Sequence, residues 1–229
     1  MKRVFAFSPH LDDAVFSAGG TLARHALDGD AVTIVTCLTG NVDKPTGFAL
    51  ACQLDKGLSA DIDYMALRRA EDIRACAAIG ASVVHLPFLE APHRGYDSPS
   101  ALFDARRSDD MLAHDLISTL RDLLDQHRPD LVYGPYGVGD HVDHGIVRDA
   151  LTSVIGDTPL IWWEDFPYAM KESTPHSALS RHSLDAAAAQ AKLAAVLCYE
   201  SQLGFQFGSA RQAADAHSQW TCEGFVSAS

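Results

Sequence analysis

No run of about 18 apolar residues, the length a helix needs to cross a bilayer, occurs in this chain. The sequence therefore predicts no membrane span. No Lys/Arg cluster of the kind that tracks phosphates is present, and 18 Lys and Arg stand against 30 Asp and Glu, a net charge of −12. That balance argues against nucleic acid as a partner. No C-x-x-C pair occurs, and the five cysteines (Cys37, Cys52, Cys76, Cys198, Cys222) are odd in number. They read as free thiols in a reducing compartment, with Cys37 and Cys76 as core fillers. The Gly-rich dinucleotide fingerprint is missing after the first strand, which disfavours a nucleotide-binding reading. The N-terminal Met-Lys-Arg leads only into Val4–Phe7, too short an apolar run for a signal peptide. No internal repeat, low-complexity linker or domain boundary appears. The expectation is one soluble, cytoplasmic domain over residues 1–229, as a monomer or a homo-oligomer.

What is present is an alternation of strand and helix patterns. Val4–Phe7, Ala31–Leu38, Val83–Leu86, Asp130–Gly134 and Leu160–Trp163 read as buried strands. Between them, apolar residues recur at helical spacing over Asp13–Leu27, Tyr64–Ile79, Asp109–His127 and a helix ending near Val154. An Ala-rich helix is expected over Ser183–Leu197, and the tail beyond Tyr199 carries no readable pattern. Residues 42–62, 90–108 and 164–182 read as irregular pocket-shaping loops. This order predicts an α/β fold, a Rossmann-like three-layer sandwich with a mostly parallel sheet. In such sheets the ligand site lies beyond the carboxyl ends of the strands, near the point where strand order reverses.

Two His/Asp-dense segments follow predicted strands. Pro9-His10-Leu11-Asp12-Asp13 follows the first, and Asp140-His141-Val142-Asp143-His144 follows the fourth. Neighbouring strands would bring the two together. Two imidazoles and one carboxylate suit zinc and leave a position open for water. A further carboxylate can act as general base, and a further histidine can stabilise an oxyanion. Either segment alone is unremarkable: adjacent aspartates commonly start a helix, and a lone His-x-x-His is often a surface feature. Their joint occurrence at corresponding points of one sheet marks a metal or catalytic site. Asp140 reads either as a carboxylate backing a ligand histidine or as a helix N-cap. Tyr133 and Tyr136 lie close by in sequence or simply pack. His85, His93 and His176 read as surface or loop residues, Trp162 and Trp163 as strand and core with one of them a candidate for the pocket lining, and Gly19-Gly20 as close packing against the sheet.

Pro-His-x-Asp-Asp followed later by His-x-Asp-His resembles the PIG-L/LmbE family of zinc-dependent N-deacetylases. Arg68-Arg69-Ala70-Glu71 resembles the family's middle motif, and Cys198-Tyr199-Glu200-Ser201-Gln202 a later one. Leu11 departs from the family, where many members carry Pro. The resemblance implies that His10, Asp13 and His144 ligate zinc, with Fe(II) as the alternative metal. It implies Asp12 as general base, His141 as electrophilic or general-acid histidine, Asp143 as its tuner and Arg68 as a substrate contact. The implied activity is hydrolysis of an N-acyl group, acetyl above all, from a small amino-sugar-containing molecule. Two alternatives stand beside it: an amidase acting on a non-sugar or thiol-conjugate molecule, and a metal-binding homologue without turnover.

Overall fold

The apolar run Val4–Phe7 lies inside β1 (Arg3–Ser8), the centre of the sheet in the computed structural model, which describes residues 1–171 and 179–227. β1 pairs in parallel with β2 (Ala31–Thr36) on one side and with β4 (Leu131–Pro135) on the other. β3 (Ser82–His85) continues beyond β2, and β5 (Leu160–Trp163) beyond β4. Two antiparallel strands, β7 (Cys222–Ser227) and then β6 (Ser180–Ser183), complete the order β3-β2-β1-β4-β5-β7-β6. The order reverses between β1 and β4, so the two motif-bearing loops emerge side by side at the switch point.

Helices cover both faces. α1 (Asp13–Leu27), α3 (Tyr64–Ala78) and α6 (Ala186–Val196) share one apolar core with the inner side chains of β1 and β2. The opposite core holds α4 (Leu112–His127) and α5 (Val142–Val154). The α4 sequence explains its seat. Leu112, Leu116, Leu120 and Leu124 recur every fourth residue and are all buried. Each buried leucine contributes about 1.5–3 kcal/mol. Arg128 ends α4 in the left-handed region (φ 46) ahead of Pro129.

The α/β sandwich agrees with the sequence expectation, and three details correct it. Residues 42–62 are not wholly irregular, because α2 (Gly47–Leu54) forms within them. Its one buried residue is Gln53, so it shows no core-facing stripe. The expected helix over Ser183–Leu197 starts later, since Ser183 belongs to β6 and the Asp185 carboxylate caps α6 by accepting the Ala188 N–H (2.9 Å). The unreadable tail forms α7 (Glu200–Phe207), α8 (Ala210–Gln219) and β7. Gly19 and Gly20 do mark a close approach, but to Lys192 and Leu184 as well as the sheet, where Glu223 of β7 accepts the Gly20 N–H (2.8 Å). Cys37 and Cys76 are buried and free, and Trp162 and Trp163 are buried in β5. Among the described residues no helix is long and apolar enough to cross a membrane.

Candidate active site

Ser8, the last residue of β1, shapes the first loop. Its hydroxyl donates to the His10 carbonyl (2.6 Å) and accepts the Ala14 N–H (3.0 Å), which folds the chain sharply from strand to helix. The Asp13 carboxylate accepts the His10 N–H (2.8 Å) and faces His10 Nδ1 at 3.1 Å. The second loop turns through Gly137 (φ 90), Gly139 (φ 84) and Asp140 (φ 58). His141 then caps α5, its Nδ1 accepting the Asp143 N–H at 3.2 Å. Asp140 is therefore not the N-cap, and among the described residues its carboxylate makes no hydrogen bond to a histidine.

The two loops meet. Donor atoms of His10, Asp13 and His144 lie within 4.8 Å of one another. His144 Nε2 stands 3.3 Å from Asp13 Oδ2 and, among the described residues, is buried without a hydrogen-bond partner. Its other nitrogen, Nδ1, is held by Asp165 Oδ1 at 2.8 Å. A ring tied at one nitrogen to a carboxylate, with the other nitrogen bare, is the usual arrangement of a metal-binding histidine. The electrostatics agree. Burial pulls His10 and His144 down, but the carboxylates around them win: His10 rises well above its usual value and His144 to about 10. The site thus favours positive charge, which a divalent ion supplies on displacing those protons. A second grouping, His10, His141 and Asp143, also lies within reach. Both Asp143 oxygens there are already engaged, so the first grouping fits a metal better.

Each sequence-derived candidate can now be placed. Burial raises Asp12 to about 6 against the pull of Arg68. Arg68 is almost fully buried and donates to Glu90 Oε1 (2.6 Å), Asp12 Oδ2 (3.4 Å) and the Leu11 carbonyl (3.5 Å). Its charge is thus shared between two carboxylates at the cavity wall. Burial lowers His141 to about 3, so its ring is neutral. With Nδ1 accepting a backbone N–H, its proton sits on Nε2. The Asp143 carboxylate lies within 4.8 Å of a His141 ring nitrogen, and its hydrogen bonds go to other partners. It accepts from His10 Nε2 (2.9 Å), the Ala91 N–H (3.0 Å) and Arg94 Nη2 (2.8 Å). His10 and Arg94 hold it well below the usual carboxylate range despite burial.

Asp12, Asp13, His10, His141, Asp143 and Arg68 line a cavity of about 550 Å³. Its outer wall comes from residues 42–62 and 90–103, together with Phe205 of α7. His93 sits in the connection after β3, as expected of a loop residue, and lines this wall. His85 instead faces Asp72 (Nε2 to Oδ2, 2.8 Å), and His176 lies outside the described residues. Tyr133 packs in the core with its hydroxyl at His25, and Tyr136 packs against the opposite core. Three contributors escaped the sequence reading: Asp165, Tyr168 and Arg94. Asp165 had a signal, since it follows β5 as the two motifs follow β1 and β4.

A model of the GlcNAc-PI de-N-acetylase family, PIG-L, matches residues 5–155. The 2'-N-acetylparomamine deacetylase of Streptomyces fradiae is 32% identical over 173 residues, covering 73% of this chain and 58% of that protein. The 1D-myo-inositol 2-acetamido-2-deoxy-alpha-D-glucopyranoside deacetylase of Rhodococcus erythropolis is 32% identical over 66% of this chain and 52% of its own length. The chain thus spans a little over half the length of these curated relatives. A crystal structure of the zinc-inhibited form of teicoplanin deacetylase superimposes with a TM-score of 0.81 at 28% identity, covering 99% of this chain and 98% of that one.

Proposed function

This chain belongs to the PIG-L family, and from that premise we propose that it is a metal-dependent hydrolase removing an N-acyl group, acetyl foremost, from a small amino-sugar-containing substrate. One observation carries the reading: His10, Asp13 and the buried His144 converge where His10, Asp12, Asp13 and His141 line one cavity. We assign the first three to a zinc ion. The same donor set also suits Fe(II), the alternative metal. When bound, such an ion polarises the amide carbonyl and acidifies a water molecule.

The side chains supply the rest. Asp12 takes the proton of the attacking water, and a carboxyl near 6 is a stronger base than an ordinary aspartate. Neutral His141 donates its Nε2–H to the carbonyl oxygen as negative charge develops there. Asp12 then returns its proton to the departing amine. Arg68 and Glu90 hold Asp12 in place at the sugar-facing wall. The relatives' names support an N-acetylated amino sugar as the substrate class. The exposed rings of Phe103 and Phe205 at the mouth favour a substrate with an apolar face beyond that sugar.

Metal content by elemental analysis, paired with acetate release from N-acetylglucosamine derivatives with and without chelator, tests the proposal. About one zinc per chain, as three protein ligands predict, with chelator-sensitive release is the expected result. Metal without release would redirect the search to other amides. Neither metal nor release, even after zinc is added back, would overturn the reading.

A further inference from the structure

Tyr168 stands three residues beyond Asp165 on a tight turn, Tyr168–Lys171, anchored where the Ala169 N–H donates to the Asp165 carbonyl (3.0 Å). The residue that orients His144 thus also fixes the position of this tyrosine. Its ring meets His144 nearly edge-on at 5.4 Å between centroids, with His141 at 6.4 Å and Phe103 at 6.0 Å. On its other side it packs onto bare backbone. A Cβ on Gly139 would stand 2.9 Å from Tyr168 Cβ and Cδ1, so glycine at 139 leaves the space that the ring fills. Gly139 also has a φ of +84, which glycine adopts without strain.

The phenol lines the cavity, yet among the described residues its hydroxyl makes no hydrogen bond. The residue is half-buried, and its hydroxyl is not among the sealed polar atoms without a partner, so it is open to the cavity space. Asp12, Asp13, Asp143 and Asp165 are all nearby acceptors, and it bonds to none of them. A tyrosine hydroxyl keeps its proton at neutral pH, with an ordinary pKa of about 10. The ring that carries this donor stands beside His144 and His141 on the cavity wall.

We propose that the Tyr168 hydroxyl is a second hydrogen-bond donor to the oxyanion of the hydrolytic step, acting beside His141 Nε2–H. This rests on the hydrolase reading above. The hydroxyl transfers no proton. It donates one hydrogen bond, which strengthens as the carbonyl oxygen becomes negative, so its contribution lies in the transition state and not in substrate binding.

Tyr168→Phe removes that oxygen and keeps the ring. The measurement is steady-state acetate release, with zinc stoichiometry and thermal midpoint recorded on the same preparations. The expected result is a kcat lower by about 100-fold, the scale for one lost oxyanion donor, with KM, zinc content and midpoint unchanged. Gly139→Ala, which displaces the ring, should lower kcat in the same direction. If that variant fails to fold, Tyr168→Phe alone decides. Three results for Tyr168→Phe would overturn the proposal while leaving the hydrolase reading intact: an unchanged kcat, a raised KM with unchanged kcat, or a loss of zinc. Absence of acetate release from the wild-type protein would overturn both.

Discussion

Replacing Asp165 with Asn exchanges one carboxylate oxygen for an NH2 group and leaves the shape nearly unchanged. The two oxygens of Asp165 have separate tasks. Oδ2 accepts the Gly137 and Val138 N–H groups (2.6 and 2.8 Å), and Oδ1 accepts from His144 Nδ1 (2.8 Å). Asn has one acceptor. If that oxygen stays with the loop, NH2 faces His144 Nδ1 and drives the ring proton to Nε2, the nitrogen that faces Asp13. If the oxygen turns to His144, two buried loop N–H groups lose their partner. Either way the histidine presents its bare nitrogen less well. Loss of such an outer partner costs about 10- to 100-fold in metal affinity, or about 1.4–2.7 kcal/mol. A competition titration with a chromophoric chelator at neutral pH reads this directly. A thermal melt of the metal-free protein separates it from general loss of structure. For the wild type the titration should also tighten as pH rises, because the protons held on His10 and on His144 (about 10) must leave before metal enters. Asp165→Asn with wild-type zinc affinity would refute the assigned orientation of His144.

Three further outcomes are expected. Asp12→Asn should retain zinc and lose about 10²- to 10⁴-fold in kcat, the usual contribution of a general base; undiminished turnover would remove Asp12 from that role. His217 is buried among Phe16, Phe166 and Phe207 with no hydrogen-bond partner for either ring nitrogen among the described residues, and burial lowers it to about 2. The unfolded chain takes up that proton below about pH 6.5 and the folded chain does not, so stability falls as pH drops, by about 2 kcal/mol between pH 7 and 5. Denaturant titrations of wild type and His217→Phe at both pH values should differ by that amount; equal pH dependence would contradict it. Leu116→Ala, in the α4 stripe, should cost about 2–5 kcal/mol without changing zinc stoichiometry, and a loss under 1 kcal/mol would mean that the site collapses around the smaller side chain.

Much of this protein was legible along the chain. Strand and helix patterns report burial on one face, a property of neighbours in sequence, and they revealed the parallel sheet and its switch point. The motifs His10-Leu11-Asp12-Asp13 and His141-Val142-Asp143-His144 could be read because each is local: one tight turn carries several functional side chains. Elements without a core-facing stripe were not legible. Gln53 is the one buried residue of α2, and β6, Ser-Arg-His-Ser, is a polar edge strand wholly exposed to solvent.

What sequence alone determined, then, is the fold class and the residue types that can hold a metal, because both are encoded in short-range periodicity and spacing. Only the tertiary structure decided how those residues are served. It brought Asp165 from behind β5 to His144, bonded Asp143 to His10 and Arg94, and set Tyr168 over the bare backbone of Gly139. Hydrogen bonds and ring contacts between segments distant in sequence leave no periodic trace in the chain. They exist only once the sheet has set the loops side by side.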